Sequence, residues 1–183
     1  SGDDAQLNAL ARAQNRVVGD LIYSERGESA SDFRLRIHGH LQALTNSTGF
    51  EHGAGFSVRY SEFSDAFVFV AVVQTSGTPV ASVVNRFWTS DGFDPIFSWS
   101  IHTHGFFKQG HRITQLEKLY LAPSGVNVRV GSVANHNKLN DLIEDDRFSP
   151  QDKEHQSAWL SSRRGLAWGI KNYRGRWMPM IEP

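Results

Sequence analysis

The sequence contains no cysteine. Disulfide bonds, thiolate zinc sites and a cysteine nucleophile are therefore excluded, and any bound metal has to be held by histidine, aspartate or glutamate. A membrane span is not expected either, because no run approaches the roughly 20 apolar residues that one needs. The N-terminal stretch SGDDAQLNAL lacks the basic start and the apolar centre of a signal peptide, so none is expected there.

Charge of neither sign is in excess. Lys+Arg and Asp+Glu both count 19, so the formal net charge is zero. A nucleic acid or an anionic membrane as the main partner would favour a basic excess, and we expect neither. The 183 residues, of which 39% are hydrophobic and 11% aromatic, suit one globular domain with a sizeable core.

Helical and strand patterns follow one another in blocks. The predicted helices cover residues 4–23, 32–45, 136–144 and 148–165. The predicted strands cover residues 56–60, 65–75, 79–88, 96–104 and 126–133, and a final hairpin turns at Tyr173–Gly175. This order predicts a single α+β domain over residues 1–183, a mixed α/β/α fold that starts with a helical segment over 1–31.

Residues 100–105 read SIHTHG and end a strand-forming run. Residues two apart in a strand point to the same face, so His102 and His104 can converge on one ion while Thr103 faces the other way. Neutral imidazole is a good zinc ligand, and a catalytic zinc site typically has three protein ligands. On its own the pair also fits a polar strand edge, so a metal site needs a third ligand from elsewhere.

The stretch FSPQDKE (148–154) has two interpretations. Ser149 is a plausible N-cap, Pro150 suits the first helical position, and Asp152 stands where a capping-box acid would stand. These features explain the stretch without any catalysis. The same spacing places the Ser149 hydroxyl and the Asp152 carboxylate on one face of a helical turn, where both could face a metal ion.

An acid also precedes the glycine-rich start of the first long strand, in FEHGAGF (50–56). Glu51 is either a solvated loop residue or a general base beside a metal-activated water. Glu62, in SVRYSEF, is the alternative base.

Taken in order, Glu51, His102-Thr103-His104 and Ser149-Pro150-Gln151-Asp152 resemble the signature of the JAMM (MPN-type) metallopeptidases, an upstream glutamate followed by H-[ST]-H and S-x-x-D. HTHG followed by FSPQD is most similar to the JAMM-related domain at the C-terminal ends of bacterial Rhs-type polymorphic toxins and secreted effectors. The resemblance spans roughly residues 32–183. It implies a curved central sheet flanked by helices, similar to the JAMM and cytidine-deaminase folds.

The chain differs from the signature in two places. Gly105 follows the second histidine, where proline is usual in the family. Residues 106–147 replace a short connection, and such an insertion beside the site could act as a lid or shape substrate choice.

The resemblance also implies a mechanism. His102, His104 and Asp152 would bind one Zn²⁺, Glu51 would act as the general base, and Ser149 would hydrogen-bond the developing oxyanion. The implied function is a zinc-dependent hydrolase of peptide or isopeptide bonds. A non-catalytic JAMM-like scaffold is the alternative.

The implied setting is a secreted or delivered bacterial effector that is cytosolic in the producing cell before export. Its substrate would be a protein or peptide, such as a ubiquitin-like conjugate or a cell-wall peptide, and an immunity protein could accompany it.

Further residues compete for roles at the site. Phe106 and Phe107 either join the core or line a substrate groove. His38 and His40 lie in a predicted helix, where side chains two apart diverge, so both are expected at the surface. His111 could supply a metal ligand from the insertion.

Overall fold

The computed structural model describes residues 2–19, 21–83, 91–122 and 136–181. Within these residues the fold is mixed α/β, with a central, mostly antiparallel sheet of eight strands flanked by helices. The helices are α1 Gly2–Gln14, α2 Ala30–Thr48, α3 Gln115–Leu121 and α4 His136–Asp141, and a 3-10 turn covers Asp152–Glu154. The strands are β1 Arg16–Val17, β2 Ile22–Tyr23, β3 Gly53–Ser61, β4 Ala66–Thr75, β5 Asp94–Thr103, β6 Ser157–Ser162, β7 Gly165–Lys171 and β8 Trp177–Ile181.

The strands lie in the order β1-β4-β3-β5-β6-β7-β8, and β2 also pairs with β4. The described pairings are antiparallel except that of β5 with β6, which is parallel. His102 of β5 lies opposite Gly53 of β3 on one side and opposite Leu160 of β6 on the other. The end of β5 that carries the H-x-H motif is therefore held from both sides in the middle of the sheet.

Helix α2 covers one face of the sheet and confirms the helix predicted over 32–45. Ser29 caps it by accepting the Asp32 N–H at 3.1 Å, and Gly49 ends it with φ 77°, a conformation that favours glycine. Its apolar side chains recur at helical spacing and are fully buried against the sheet, each contributing about 1.5–3 kcal/mol of burial. They are Phe33, Ile37 and Leu41.

The helix predicted over 4–23 is wrong in its second half, because α1 ends at Gln14. The next residues form β1 and β2, which pair with β4, and Gly19 between them has φ 78°. Asn15 donates to Gln74 Oε1 at 2.8 Å and joins the end of the helix to the sheet. The N-terminal segment is thus one helix followed by two short strands, since pairing with an open sheet edge satisfies the backbone of its apolar residues.

The helix predicted over 148–165 is wrong as well. The capping hydrogen bonds between Ser149 and Asp152 do form, but they close a turn that leads only into the short 3-10 turn Asp152–Glu154. The chain is extended from His155 and continues as β6, which pairs in parallel with β5. Long-range pairing here overrides a local helix signal. The predicted C-terminal hairpin is confirmed by β7 and β8, with Gly175 at φ 74° in its turn.

Two further predictions fall partly or wholly outside the described residues. The strand predicted over 126–133 lies outside them entirely. The strand predicted over 79–88 is not formed over 79–83, and its other residues lie outside the described part. The short helix predicted over 136–144 is confirmed as α4.

The segment predicted as an insertion, residues 106–147, carries α3 and α4, and its described residues pack with Val80 in one apolar cluster. The cluster consists of Val80, Phe107, Ile113, Leu121, Leu139 and Ile143. Its described part is therefore folded onto the domain. Within the described residues, no helix combines the length and the apolar character that crossing a membrane requires.

Candidate metal centre

Strand β5 presents His102 on the sheet face opposite α2. Its neighbours Ile101 and Thr103 are fully buried on the α2 face, where Thr103 Oγ1 lies 2.7 Å from Thr45 Oγ1. Because side chains alternate along a strand, His102 points to the other face. His104 directly follows the end of the strand, and the centroids of the two imidazole rings lie 5.3 Å apart.

Asp152 approaches the two histidines from the turn that precedes β6. Its N–H donates to Ser149 Oγ at 3.1 Å and its Oδ2 accepts the Ser149 N–H at 2.9 Å, which fixes the carboxylate. Its Oδ1 lies 3.1 Å from His102 Nε2, and its Oδ2 lies 3.3 Å from His104 Nε2. One ligand atom from each of the three side chains lies within 4.8 Å of the others, so the group could hold a metal ion.

The donor atoms suit zinc, as they suit other divalent ions of similar preference. His104 Nδ1 lies 3.0 Å from the carbonyl oxygen of Glu144, and donating its proton there leaves a lone pair on Nε2. His102 Nε2 is buried and makes no hydrogen bond of good geometry within the described part of the chain, although Asp152 Oδ1 is near. Buried polar atoms need a partner, and a metal ion would supply one here.

The carboxylates of Asp152 and Glu51 favour a positive charge at His102. Burial opposes the charged form of Asp152, but His102 and His104 lower the pKa of its carboxyl far below the usual range. Burial also opposes the charged form of His102, but Asp152 and Glu51 together raise the pKa of His102 to about 9. Both shifts have the same cause, since opposite charges a few ångströms apart stabilise each other where water is excluded.

Glu51 lines the same cavity from the residues before β3. Its N–H donates to Thr78 O at 2.9 Å and its C=O accepts from Thr75 Oγ1 at 2.6 Å, so its backbone is fixed. The residue is 7% exposed, and burial raises the pKa of its carboxyl to about 7, with His102 and His104 acting in the opposite direction. Glu51 is thus a buried carboxyl that can take or release a proton near neutral pH.

A cavity of about 1240 Å³ contains the candidate ligands and Glu51. Ser149 lines it beside Asp152. Ligand pockets are typically about 300–1,000 Å³, so this cavity is large enough for several residues of a polypeptide. Its apolar walls come from several parts of the chain and include Val80, Ile143, Phe148, Ala158, Ala167 and Trp177.

Phe106 and Phe107 do not line this cavity. Phe107 is 2% exposed and packs in the apolar cluster of the insertion. The Phe106 N–H donates to Gly49 O at 2.8 Å, which directs this residue towards the end of α2. The structure favours packing over a substrate-binding role for Phe107, whereas Phe106 is half-buried and its role stays a prediction.

The competing residues lie elsewhere. Glu62 is exposed in the turn between β3 and β4 and does not line the cavity. His111 bonds to a buried glutamate of α3 at 2.7 Å and does not reach the metal ligands. His40 is exposed as predicted, but His38 is half-buried and its Nδ1 lies 2.5 Å from Ser161 Oγ of β6.

Three contributions to the site are not marked by any sequence pattern. The Ser82 N–H donates to the Glu51 carboxylate, and VASVV is typical of an ordinary strand. Tyr120 of α3 lines the cavity, where burial, Glu51 and Asp152 raise the pKa of its hydroxyl to about 12. The third is the Glu144 carbonyl, a main-chain atom that every residue carries.

Comparisons of this chain with protein-family models, with curated proteins and with solved structures find no match.

Proposed function

We propose that this protein is a zinc-dependent hydrolase of peptide or isopeptide bonds, related to the JAMM-type domains of secreted bacterial effectors and toxins. The convergence of His102, His104 and Asp152, with buried Glu51 in the same cavity, is the observation that carries the proposal. Its support from the sequence is the order of these residues, which resembles the JAMM signature.

The three side chains would hold zinc, which when bound supplies a Lewis acid and a water nucleophile at neutral pH. Glu51 takes a proton from the attacking water and delivers it to the nitrogen that leaves when the C–N bond breaks. Its pKa of about 7 matches this exchange, since a base near the working pH both accepts and releases a proton readily.

Ser149 would stabilise the negative charge that develops on the substrate oxygen. Its Oγ accepts the Asp152 N–H, so the proton of its own hydroxyl remains available for donation. One such donor to an oxyanion typically contributes 10²–10³-fold, or about 3–4 kcal/mol. Ser149 thus serves two purposes, fixing Asp152 and binding the transition state.

The proposed substrates are proteins or peptides, because the cavity has room for several residues of a polypeptide beside the candidate ligands. A ubiquitin-like conjugate is the proposed substrate class in a eukaryotic host, and a cell-wall peptide in a bacterial rival. Delivery to a rival would also call for an immunity protein in the producing cell.

The metal is tested first, by elemental analysis of protein purified without a metal affinity column. We expect about one zinc per chain, lost in His102→Ala/His104→Ala. The control is His40→Ala, which removes an exposed histidine that does not line the cavity and should keep the zinc. A wild-type protein that takes up no zinc even after zinc addition and dialysis would overturn the proposal.

The reaction is tested next, with internally quenched peptides, cell-wall stem peptides and isopeptide-linked ubiquitin. Glu51→Gln should keep its zinc and lose hydrolysis of any substrate found, whereas Glu62→Gln should keep both. Hydrolysis by Glu51→Gln at the wild-type rate would exclude the general-base role. A zinc-loaded protein that cleaves none of these would fit the non-catalytic scaffold instead.

A further inference from the structure

One side chain joins the segment that follows His104 to helix α4. Asn140 Oδ1 accepts the Phe107 N–H at 2.6 Å, and Asn140 Nδ2 donates to Phe107 O at 3.3 Å. The amide thus binds both main-chain groups of Phe107, as a neighbouring strand would. Phe107 lies three residues after His104, so this pair of bonds fixes the chain leaving the metal ligand.

The main chain of Asn140 continues into the turn that reaches the metal centre. The Ile143 N–H donates to Asn140 O at 2.9 Å, and Ile143 is 7% exposed in the same apolar cluster as Phe107. The next residue is Glu144, whose carbonyl oxygen lies 3.0 Å from His104 Nδ1. Asn140 is therefore bonded on both sides of the contact between His104 and Glu144.

We infer that Asn140 is a positioning residue of the metal centre, which holds the Glu144 carbonyl against His104 Nδ1 so that Nε2 is presented to the ion. The inference rests on the metal site of the proposed function. It also makes residues 136–147 a part of that site, because a metal-binding histidine is usually oriented by the partner of its other nitrogen.

The test measures the zinc dissociation constant by competition with a chromophoric chelator. Loss of a partner that orients a metal-binding histidine typically costs 10–100-fold in metal affinity, and we expect about tenfold for Asn140→Ala because it acts through the carbonyl. Asn137→Ala is the matched control, since Asn137 is an exposed asparagine on the same short helix. The visible absorption bands of the Co²⁺-substituted protein should change in Asn140→Ala and stay unchanged in Asn137→Ala.

A double-mutant cycle separates positioning from general loosening of the fold. In a His104→Ala background, Asn140→Ala should cause no further loss of zinc affinity, because the nitrogen that it orients is gone. The same tenfold loss in both backgrounds would overturn the inference and indicate a merely structural role.

Failure of this inference differs from failure of the proposed function. If the wild type binds zinc and Asn140→Ala binds it equally well, only the role of Asn140 is overturned. If the wild type binds no zinc, the metal site itself is wrong. If Asn140→Ala does not fold, Asn140→Asp takes its place. The aspartate keeps an acceptor for the Phe107 N–H and loses the donor to Phe107 O, so we expect its zinc affinity to fall several fold. A zinc affinity equal to that of the wild type would overturn the inference.

Discussion

Gly105 offers the sharpest test of how the metal centre is packed. A Cβ atom at this position would lie 2.3 Å from Gly49 O and 2.6 Å from Pro79 Cα, and both are backbone atoms that cannot rotate away. We therefore predict that Gly105→Ala destabilises the fold by about 1–3 kcal/mol, the usual cost of forcing one methyl group into a packed core. Since His104 is the preceding residue, the shift should also weaken zinc binding.

Proline, which the JAMM signature carries at this position, should destabilise the fold more than alanine does. The Gly105 N–H donates to Pro79 O at 3.2 Å, and proline has no N–H. Gly105→Pro would therefore add the cost of an unsatisfied carbonyl, about 1–3 kcal/mol, to the steric clash.

The assay is urea-induced unfolding of the metal-free protein, followed by zinc titration of the folded variants. Gly39→Ala is the control, because a Cβ there meets nothing within 4 Å and Gly39 lies inside α2. Alanine should stabilise that helix by about 0.5–1 kcal/mol. If Gly105→Ala unfolds at the same urea midpoint as the wild type and binds zinc with the same affinity, the backbones do not approach as closely as described.

Three further predictions concern the surroundings of the site. Thr103→Val removes the hydroxyl that bonds Thr45 Oγ1 and that accepts the His52 N–H at 2.9 Å. The free energy of unfolding in urea should fall by about 1–3 kcal/mol, and an unchanged value would contradict this prediction. Burial lowers the pKa of His38, so below pH ~6.5 the unfolded chain binds a proton more readily than the folded one. The wild type should therefore lose free energy of unfolding relative to His38→Gln as the pH falls from 7 to 5.5. A difference between the two proteins that stays constant over this range would exclude this. Adding a chelator should lower the melting temperature, since a metal at 100 times its Kd stabilises by about 2.7 kcal/mol; no change would mean that no metal is bound.

The candidate ligands could be predicted because their geometry is local. His102 lies in β5, which forms where the β-forming residues stand, and His104 directly follows this strand and stays close to His102. The Ser149–Asp152 bonds follow from a three-residue spacing that any capping turn satisfies. Neither motif depends on the rest of the fold. The geometry predicted for each is therefore correct even where the elements around it were predicted wrongly.

The elements that were predicted wrongly depend on distant partners. Residues 157–162 became β6 because β5 and β7 offer pairing partners on both sides. Val17 and Ile22 left the helical pattern because β4 presents an open edge. Apolar spacing near such a boundary fits both a helix and a short strand, and only the sheet decides between them.

Gly105 and the long segment after it, where the sequence differs from the signature that it resembles, are connected in the structure. After His104 the chain passes against Gly49 and Pro79, where only glycine fits. From there it enters the segment that carries α3 and α4 and returns the Glu144 carbonyl to His104 Nδ1. A proline at 105 would push the chain off this path, and a short connection would leave His104 Nδ1 without that carbonyl. Glycine at 105 and the long segment after it are therefore expected to occur together.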